Sequence, residues 1–388
     1  MTVLDTSTAM LDAARALAPE LAARATEAEV ARTMPEDLVD RARALGLFRL
    51  ALPISLGGLE LEPATIVEVV EELSRADGSA GWTVLIGNST AFFAWLDPRV
   101  ARDLIGATPD FVSTSMFSPN GRAVADAQGG LILDGRWPFN SGCPHADWFQ
   151  TGIHVFDGQE RRRRPDGQPD WRFAFFRRDG GRIFDTWDAM GLRGTGSHDV
   201  EVRGLRVPEE HTAAPFFTSA PHDGPLWRFR FIDLLAVFMS GFPLGVGRRA
   251  LDEFAAVAAV RRRGPAAETL AGDGHVQFEI GRYEAELLAA RSLVFDAIGE
   301  AWERACQGDP PAADQEARIQ VAAQNAMRAG VAAVDAAYTL TGASAVYSDH
   351  PLQRCFRDIH TATQHAAFRG EGYRSYARSR FGLEASGV

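Results

Sequence analysis

Seven apolar residues, Val276, Ile280, Tyr283, Leu287, Ala290, Val294 and Ile298, alternate steps of four and three along the chain. That repeat puts them on one stripe of a long α-helix, and such a stripe is stable only when another element covers it. The same texture runs from about Phe229 to the end, with a turn at Gly308 to Ala312, a helix from about Ala313 to Leu340, a break at Gly342 and Ser344, and a last helix pair. Residues from about Ala9 to Ile105 also read as helical, with Leu38, Ala42 and Leu45 at helical spacing and interruptions at Pro53, Gly57-Gly58 and Asp77 to Ser79. Between these regions, from about Phe111 to Pro208, Gly, Asp and Pro recur every few residues, and short runs such as Trp171 to Phe176 have strand character. The expectation is an α+β, mostly α fold: an N-terminal helical domain over 1–108, a central β-barrel domain over 109–217 and a C-terminal four-helix bundle over 218–388.

Composition narrows the function. Net charge is −11, so the chain lacks the electrostatic footprint of a nucleic-acid or anionic-membrane binder. The runs Arg161 to Arg164 and Arg261 to Arg263 read as solvated loops. No lysine occurs, all 40 basic residues being arginine, which excludes a lysine Schiff base and a P-loop. Cys143, Cys306 and Cys355 are odd in number and far apart, so neither a disulfide framework nor a zinc site is expected. His360 and His365, about 140° apart on a helix, are no metal pair either. The start of the chain lacks a signal-peptide layout. The most apolar stretch, roughly Ile232 to Val246, reads as too short to span a bilayer and as broken by Gly241 and Pro243. A cytoplasmic protein is expected, and no Gly-rich Rossmann fingerprint points to NAD(P)H.

Four strings add to this reading. Pro53 through Gly57-Gly58, Glu71 through Trp82, Gly135 through Gly142, and Gly191 through Val200 resemble, in this order, segments of the acyl-CoA dehydrogenase superfamily. The resemblance covers nearly the whole chain. In the dehydrogenases a glutamate lies eight residues beyond the Asp of an Arg-Asp pair and removes the α-proton of an acyl thioester. Here Arg357-Asp358 sets the register and Ala366 stands at that place, with Glu371 five residues further. A methyl group accepts no proton. The segment Arg357 to His365 instead resembles the superfamily's flavin-dependent monooxygenase branch, which carries an active-site histidine there. Ser141-Gly142-Cys143 resembles that branch's serine at the flavin.

What the resemblance implies is the oxygenase component of a two-component monooxygenase. Reduced flavin, FMNH2 or FADH2, would come from a separate reductase, and O2 would add to it as a C4a-hydroperoxide that hydroxylates an aromatic or polyketide-like small molecule. N-oxygenation of an amine or amino sugar, and acyl-CoA dehydrogenation by a displaced base, remain alternatives. His365, titrating near neutrality, and Ser141 are the catalytic candidates. Ser115, Met116, Phe117, Trp137, Asn140 and Ser141 are expected at the flavin ring. Arg263, Gln277, Phe278, Gly342 and Ser344 are expected at its tail, partly across a subunit boundary in a homotetramer. Asn88, Phe92 and Trp95, with Phe238 and Phe242 opposite, are expected to line a substrate pocket. Taken alone, each aromatic residue reads more often as plain core, and His360, His145 and His198 read as structural. The arginine-only, Ala- and Gly-rich composition suggests a bacterial enzyme of secondary metabolism.

Overall fold

The computed structural model describes residues 3–107, 109–262, 264 and 268–383. The apolar stripe from Val276 to Ile298 lies on one long helix, Gly274–Cys306. Val276, Leu287, Ala290, Val294 and Ile298 are buried, and Ile280 and Tyr283 pack against the same core from its edge.

The N-terminal helices are α1 (Val3–Ala23), α2 (Ala25–Ala31), α3 (Glu36–Ala44), α4 (Pro63–Ala76), α5 (Gly78–Gly87) and α6 (Pro98–Ile105). A buried 3-10 helix, Asn88–Trp95, continues α5. The strands follow: β1 (Ser113–Ala125), β2 (Leu131–Asn140), β3 (Trp148–Asp157), β4 (Glu160–Arg161), β5 (Trp171–Arg177), β6 (Arg182–Phe184), β7 (His198–Val207) and β8 (Thr212–Ala213). They form one sheet in the order β6-β7-β2-β1-β3-β5-β8, with β4 on β3. Among the described residues, only β1 and β3 pair in parallel. Alternation along the strands splits the sheet into two faces. Trp148, Phe173 and Phe175 join the large core shared with the helices, whereas Trp137, Phe149, Ile153, Phe176 and Val200 enclose a core of the sheet's own. The sheet thus curls around its inner residues, while its strand order ends at β6 and β8.

The C-terminal helices are α7 (Phe231–Val260), α8 (Gly274–Cys306), α9 (Ala313–Thr341), α10 (Pro351–Ala362) and α11 (Glu371–Arg380). Three long helices form the bundle, and the two short ones complete it.

One expectation needs correction. Gly241 and Pro243 do not break α7, which runs unbroken for 30 residues. A proline inside a helix costs about 3 kcal/mol. Burial of Phe231, Leu234, Val237, Phe238 and Phe242 on this helix outweighs that, at about 1.5–3 kcal/mol for each large side chain. The glycines serve packing. A Cβ on Gly241 would sit 2.5 Å from the Val67 carbonyl oxygen, and one on Gly245 2.2 Å from that of Glu71. Both contacts are with α4, so the two backbones meet where no side chain fits. The helix is also long and apolar enough to cross a bilayer, contrary to the shorter stretch expected, but 83% of its most apolar window is buried inside the protein. It is the central core helix.

Candidate active site

Helix α5 starts at Asp77, whose carboxylate accepts the Ala80 N–H at 2.9 Å and so fixes the turn that carries Trp82. From the other side, β2 loses its register between Trp137 and Asn140. There Phe139 adopts φ +64°, a left-handed conformation uncommon for a bulky side chain. The distortion leaves Phe139 61% exposed and Ser141 7% exposed.

Trp82 brings the two catalytic candidates together. Its indole N–H donates to Ser141 Oγ at 3.1 Å. Its ring meets His365 edge-on at 5.6 Å and Phe242 at 5.0 Å between centroids. Behind Ser141 runs a chain of hydroxyls: Ser141 Oγ to Ser197 Oγ at 2.7 Å, Ser197 Oγ to Thr195 Oγ1 at 2.6 Å, and Thr195 Oγ1 to the Leu192 carbonyl at 2.7 Å. The Ser141 carbonyl also accepts from Thr114 Oγ1 at 2.7 Å.

His365 departs from expectation in its charge. It caps the short turn Ala366–Phe368 by accepting the Ala367 N–H on Nδ1 at 3.2 Å. A nitrogen that accepts from a backbone N–H carries no proton, so the neutral ring holds its hydrogen on Nε2. Burial, reinforced by Arg369, pushes the imidazole down to about 4. The ring is therefore neutral at pH 7 and presents an N–H donor, not a base near neutrality.

The other candidates divide. Asn140 is fully buried; its amide donates to the Trp137 and His198 carbonyls, and its Oδ1 has no hydrogen-bond partner among the described residues. Ser115 is buried on β1 beside Thr114, and Met116 lies against the sheet's own core. Trp137 lies inside that core, its indole N–H spent on the Gly152 carbonyl at 2.8 Å, so it is a packing residue of the sheet. Phe117 stacks on Phe173 at 5.0 Å, in an aromatic group with Phe92, Phe216 and Phe231. Trp95 joins that group through Phe231, and its indole N–H bonds the Thr218 carbonyl. Phe231 and Phe242 stand 11 residues apart on α7, about 16 Å, so Phe92 and Trp95 pack the start of the helix and Phe242 lies about three turns further along it. Phe238 is buried one turn from Phe242.

Asn88 is not free to contact a ligand. Its amide donates to the Leu47 and Val84 carbonyls and its Oδ1 accepts the Leu50 N–H, at 2.8, 2.9 and 2.9 Å. It staples the Leu47–Leu50 loop to α5.

The tail candidates lie elsewhere. Gln277 and Phe278 are exposed near the start of α8, and Gly342 and Ser344 follow α9. Arg261, just past the end of α7, reaches the end of α9 by donating to the Thr341 carbonyl and to Ser344 Oγ. Phe242 and Arg261 are 19 residues apart on and just past α7, about 28 Å. Arg263 lies outside the described residues.

His360 bonds Asp335 at 2.8 Å, His145 bonds Thr33 at 2.9 Å, and His198 Nδ1 accepts the Thr186 and Trp187 N–H groups.

The sequence did not single out Thr195, Ser197 or Trp82 as site residues. All three lie within the strings that carry the family resemblance. What pointed to the pair was hydroxyls two residues apart in a Gly-rich loop, a signal with meaning only once that loop packs on α5.

The polar atoms fit a reduced flavin. Ser141 Oγ, with one lone pair taken by Trp82, keeps a second. Asn140 Oδ1 is buried and unmatched. Both are acceptors, and a reduced isoalloxazine carries N–H donors. Ala366 stands exposed at the position of the dehydrogenase base.

Comparison with known proteins identifies the family. The N-terminal domain model of the acyl-CoA dehydrogenases matches residues 5–96 and the C-terminal domain model residues 237–370. Indole-3-acetate monooxygenase of Pseudomonas putida is 33% identical over 93% of this chain and 91% of its own. The crystal structure of 3-HSA hydroxylase from Rhodococcus superposes with a TM-score of 0.89 at 27% identity, over 97% of this chain and 98% of that one. XiaF from Streptomyces, in complex with FADH2 and glycerol, gives 0.89 at 26% identity, over 99% of this chain and 97% of that one. The chain therefore belongs to the acyl-CoA dehydrogenase superfamily, in the branch of flavin-dependent monooxygenases that serve as oxygenase subunits of two-component systems.

Proposed function

We propose that this enzyme hydroxylates an aromatic small molecule, using FMNH2 or FADH2 delivered by a separate reductase. The carrying observation is the single indole of Trp82, which contacts both Ser141 and a neutral His365. The relatives named as aromatic hydroxylases support the substrate class, indole-3-acetate monooxygenase among them.

Bound reduced flavin supplies the activation of dioxygen and the transfer of one oxygen atom. Ser141 holds the ring by accepting an N–H at Oγ, and Asn140 Oδ1 offers a second acceptor beside it. Trp82 and Phe242 wall the site with apolar surface, which keeps water out. His365 donates from Nε2 to an oxygen of the substrate and orients its ring toward the flavin. For it to take up a proton at Nδ1, the Ala367 cap must break.

The exposed tail candidates suit a neighbouring copy. Arg261, which meets Ser344, stands about 28 Å along α7 from Phe242, so in a homotetramer Gln277, Phe278, Gly342 and Ser344 hold the flavin tail of the adjacent subunit. Three free cysteines suit a reducing cytoplasm.

The test is anaerobic mixing with photoreduced FMN or FAD, followed by oxygen in a stopped-flow instrument. The expected result is flavin reoxidation slower than that of free flavin, accelerated by a hydroxylated indole or phenol. His365→Ala should retain the slow reoxidation and lose product by at least about 100-fold. Reoxidation at the free-flavin rate, with hydrogen peroxide as the sole product, would remove the proposal.

A further inference from the structure

The hydroxyl chain behind Ser141 has a direction, and the direction follows from proton counting. An indole N–H only donates, a carbonyl only accepts, and each hydroxyl owns one hydrogen. At 2.7 Å from the Leu192 carbonyl, the Thr195 hydroxyl must point its hydrogen there, because two oxygens at that distance with no hydrogen between them repel. Ser197 Oγ, 2.6 Å from Thr195 Oγ1, then supplies the hydrogen of that bond. Ser141 Oγ, 2.7 Å from Ser197 Oγ, must in turn give its own hydrogen to Ser197. Trp82 fills one of the two lone pairs of Ser141 at 3.1 Å. What remains on Ser141 is one lone pair and no hydrogen.

Ser141 is also the open end of the chain. It keeps 7% exposure, against 4% for Ser197 and 1% for Thr195. The far end is anchored twice. The Leu192 carbonyl accepts from Trp187 Nε1 at 2.9 Å, and the Leu192 N–H donates to the buried Asp358 carboxylate at 2.6 Å. Neither hydroxyl beyond Ser141 can turn without leaving an oxygen contact unmatched in the interior, which costs about 1–3 kcal/mol.

We infer that Ser197 and Thr195 are positioning residues that make Ser141 an acceptor only, and that the site thereby distinguishes reduced from oxidised flavin. This rests on the proposed reading that Ser141 Oγ accepts an N–H of the reduced ring, which we take to be the one on N5. Reduced flavin bears a hydrogen on N5 and matches a lone pair. Oxidised flavin has an unprotonated N5, a lone pair that meets a lone pair. The relay thus favours entry of the reduced cofactor and exit of the oxidised one, as an enzyme supplied by a separate reductase requires. Trp82, by occupying the other lone pair, contributes from the opposite side.

The experiment measures dissociation constants for FMN and FAD in both redox states, the reduced forms under argon, with wild type, Ser197→Ala, Thr195→Val and Ser197→Thr. In Ser197→Ala the Ser141 hydrogen is released and can reach oxidised N5. The oxidised-to-reduced ratio of dissociation constants should then fall roughly five- to tenfold, the worth of one neutral hydrogen bond. Thr195→Val should move it the same way, because Ser197 can then donate to Ser141. Ser197→Thr keeps the hydroxyl and should restore the wild-type ratio. Equal weakening of both redox states in the two hydroxyl-removing variants would mean a purely structural role and overturn the inference, as would an unchanged ratio in whichever of the two folds. A wild-type ratio near one would overturn it as well, while leaving the monooxygenase reading in place. Failure to bind flavin in either state would remove that reading itself.

Discussion

At His365, burial is the largest influence on the charge of the ring. Loss of water disfavours the imidazolium, Arg369 adds to this, and Nδ1 is already engaged by the Ala367 N–H. The folded value of about 4 lies below the ordinary value of about 6.5. The unfolded chain therefore binds the proton first, and stability falls as pH drops from about 6.5 toward 4. Between pH 7 and pH 5 the wild type should lose about 1–2 kcal/mol that His365→Gln retains, as read by urea unfolding. A matching loss in both proteins would place the proton elsewhere. The identity of this residue was legible from its register after Arg357-Asp358. Its protonation was not, because desolvation is set by Trp82 and Phe368, which arrive from distant or turned segments. Asn88 teaches the same lesson in reverse. Its position suggested a pocket, yet both of its amide hydrogens and its Oδ1 are engaged by the Leu47–Leu50 loop and α5.

Among the elements, α7 carries the architecture. Its glycines at 241 and 245 press directly on α4, and Gly330 of α9 lies where a Cβ would sit 2.5 Å from the Pro243 carbonyl oxygen. Local propensity marks Gly and Pro as breakers, and on that basis a break was expected in this stretch. Packing on both sides overrides it. Gly245→Ala should destabilise the protein by about 1–3 kcal/mol through overpacking against the α4 backbone. Gly299→Ala, on α8 with nothing within 4 Å of the new methyl group, should instead gain about 0.5–1 kcal/mol from helix propensity. Thermal melts of the two variants check the pair, and a stable Gly245→Ala would show that the close approach of α4 and α7 does not matter. The α8 stripe, by contrast, was fully readable, because a periodicity sustained over several turns leaves one way to bury it.

For the molecule as a whole, Asp358 is the junction. On α10 it receives the Leu192 N–H from the β region, and a Cβ on Gly78 of α5 would lie 2.8 Å from its other oxygen. Three regions of the chain meet at one buried carboxyl. Burial first, then the neighbouring Asp77, raise it to about 7. A raised carboxyl stabilises the fold in its protonated form, so stability declines as pH climbs from about 4 through 7. Asp358→Asn keeps an acceptor for Leu192 without the charge. It should flatten that decline, a difference on the order of 2–4 kcal/mol between pH 4.5 and 8, measured by denaturant titration. A slope unchanged by the substitution would assign the pH dependence to other groups.

The sequence by itself determined the order of helical and strand-rich regions, the long bundle helices and the absence of a dehydrogenase base at position 366. Each of these is local: a period, a composition or a spacing within one segment. Only the tertiary structure decided what His365 does with its proton, that α7 runs unbroken, and that Trp82, Ser197 and Thr195 belong to the site. The packing of α7, the burial of His365 under Trp82 and the relay behind Ser141 arise between segments more than 50 residues apart, as from Trp82 to Ser141 and on to Ser197, while the cap on His365 comes from the turn that follows it. No residue's own identity announces which way its hydroxyl points; the neighbours that fold against it do.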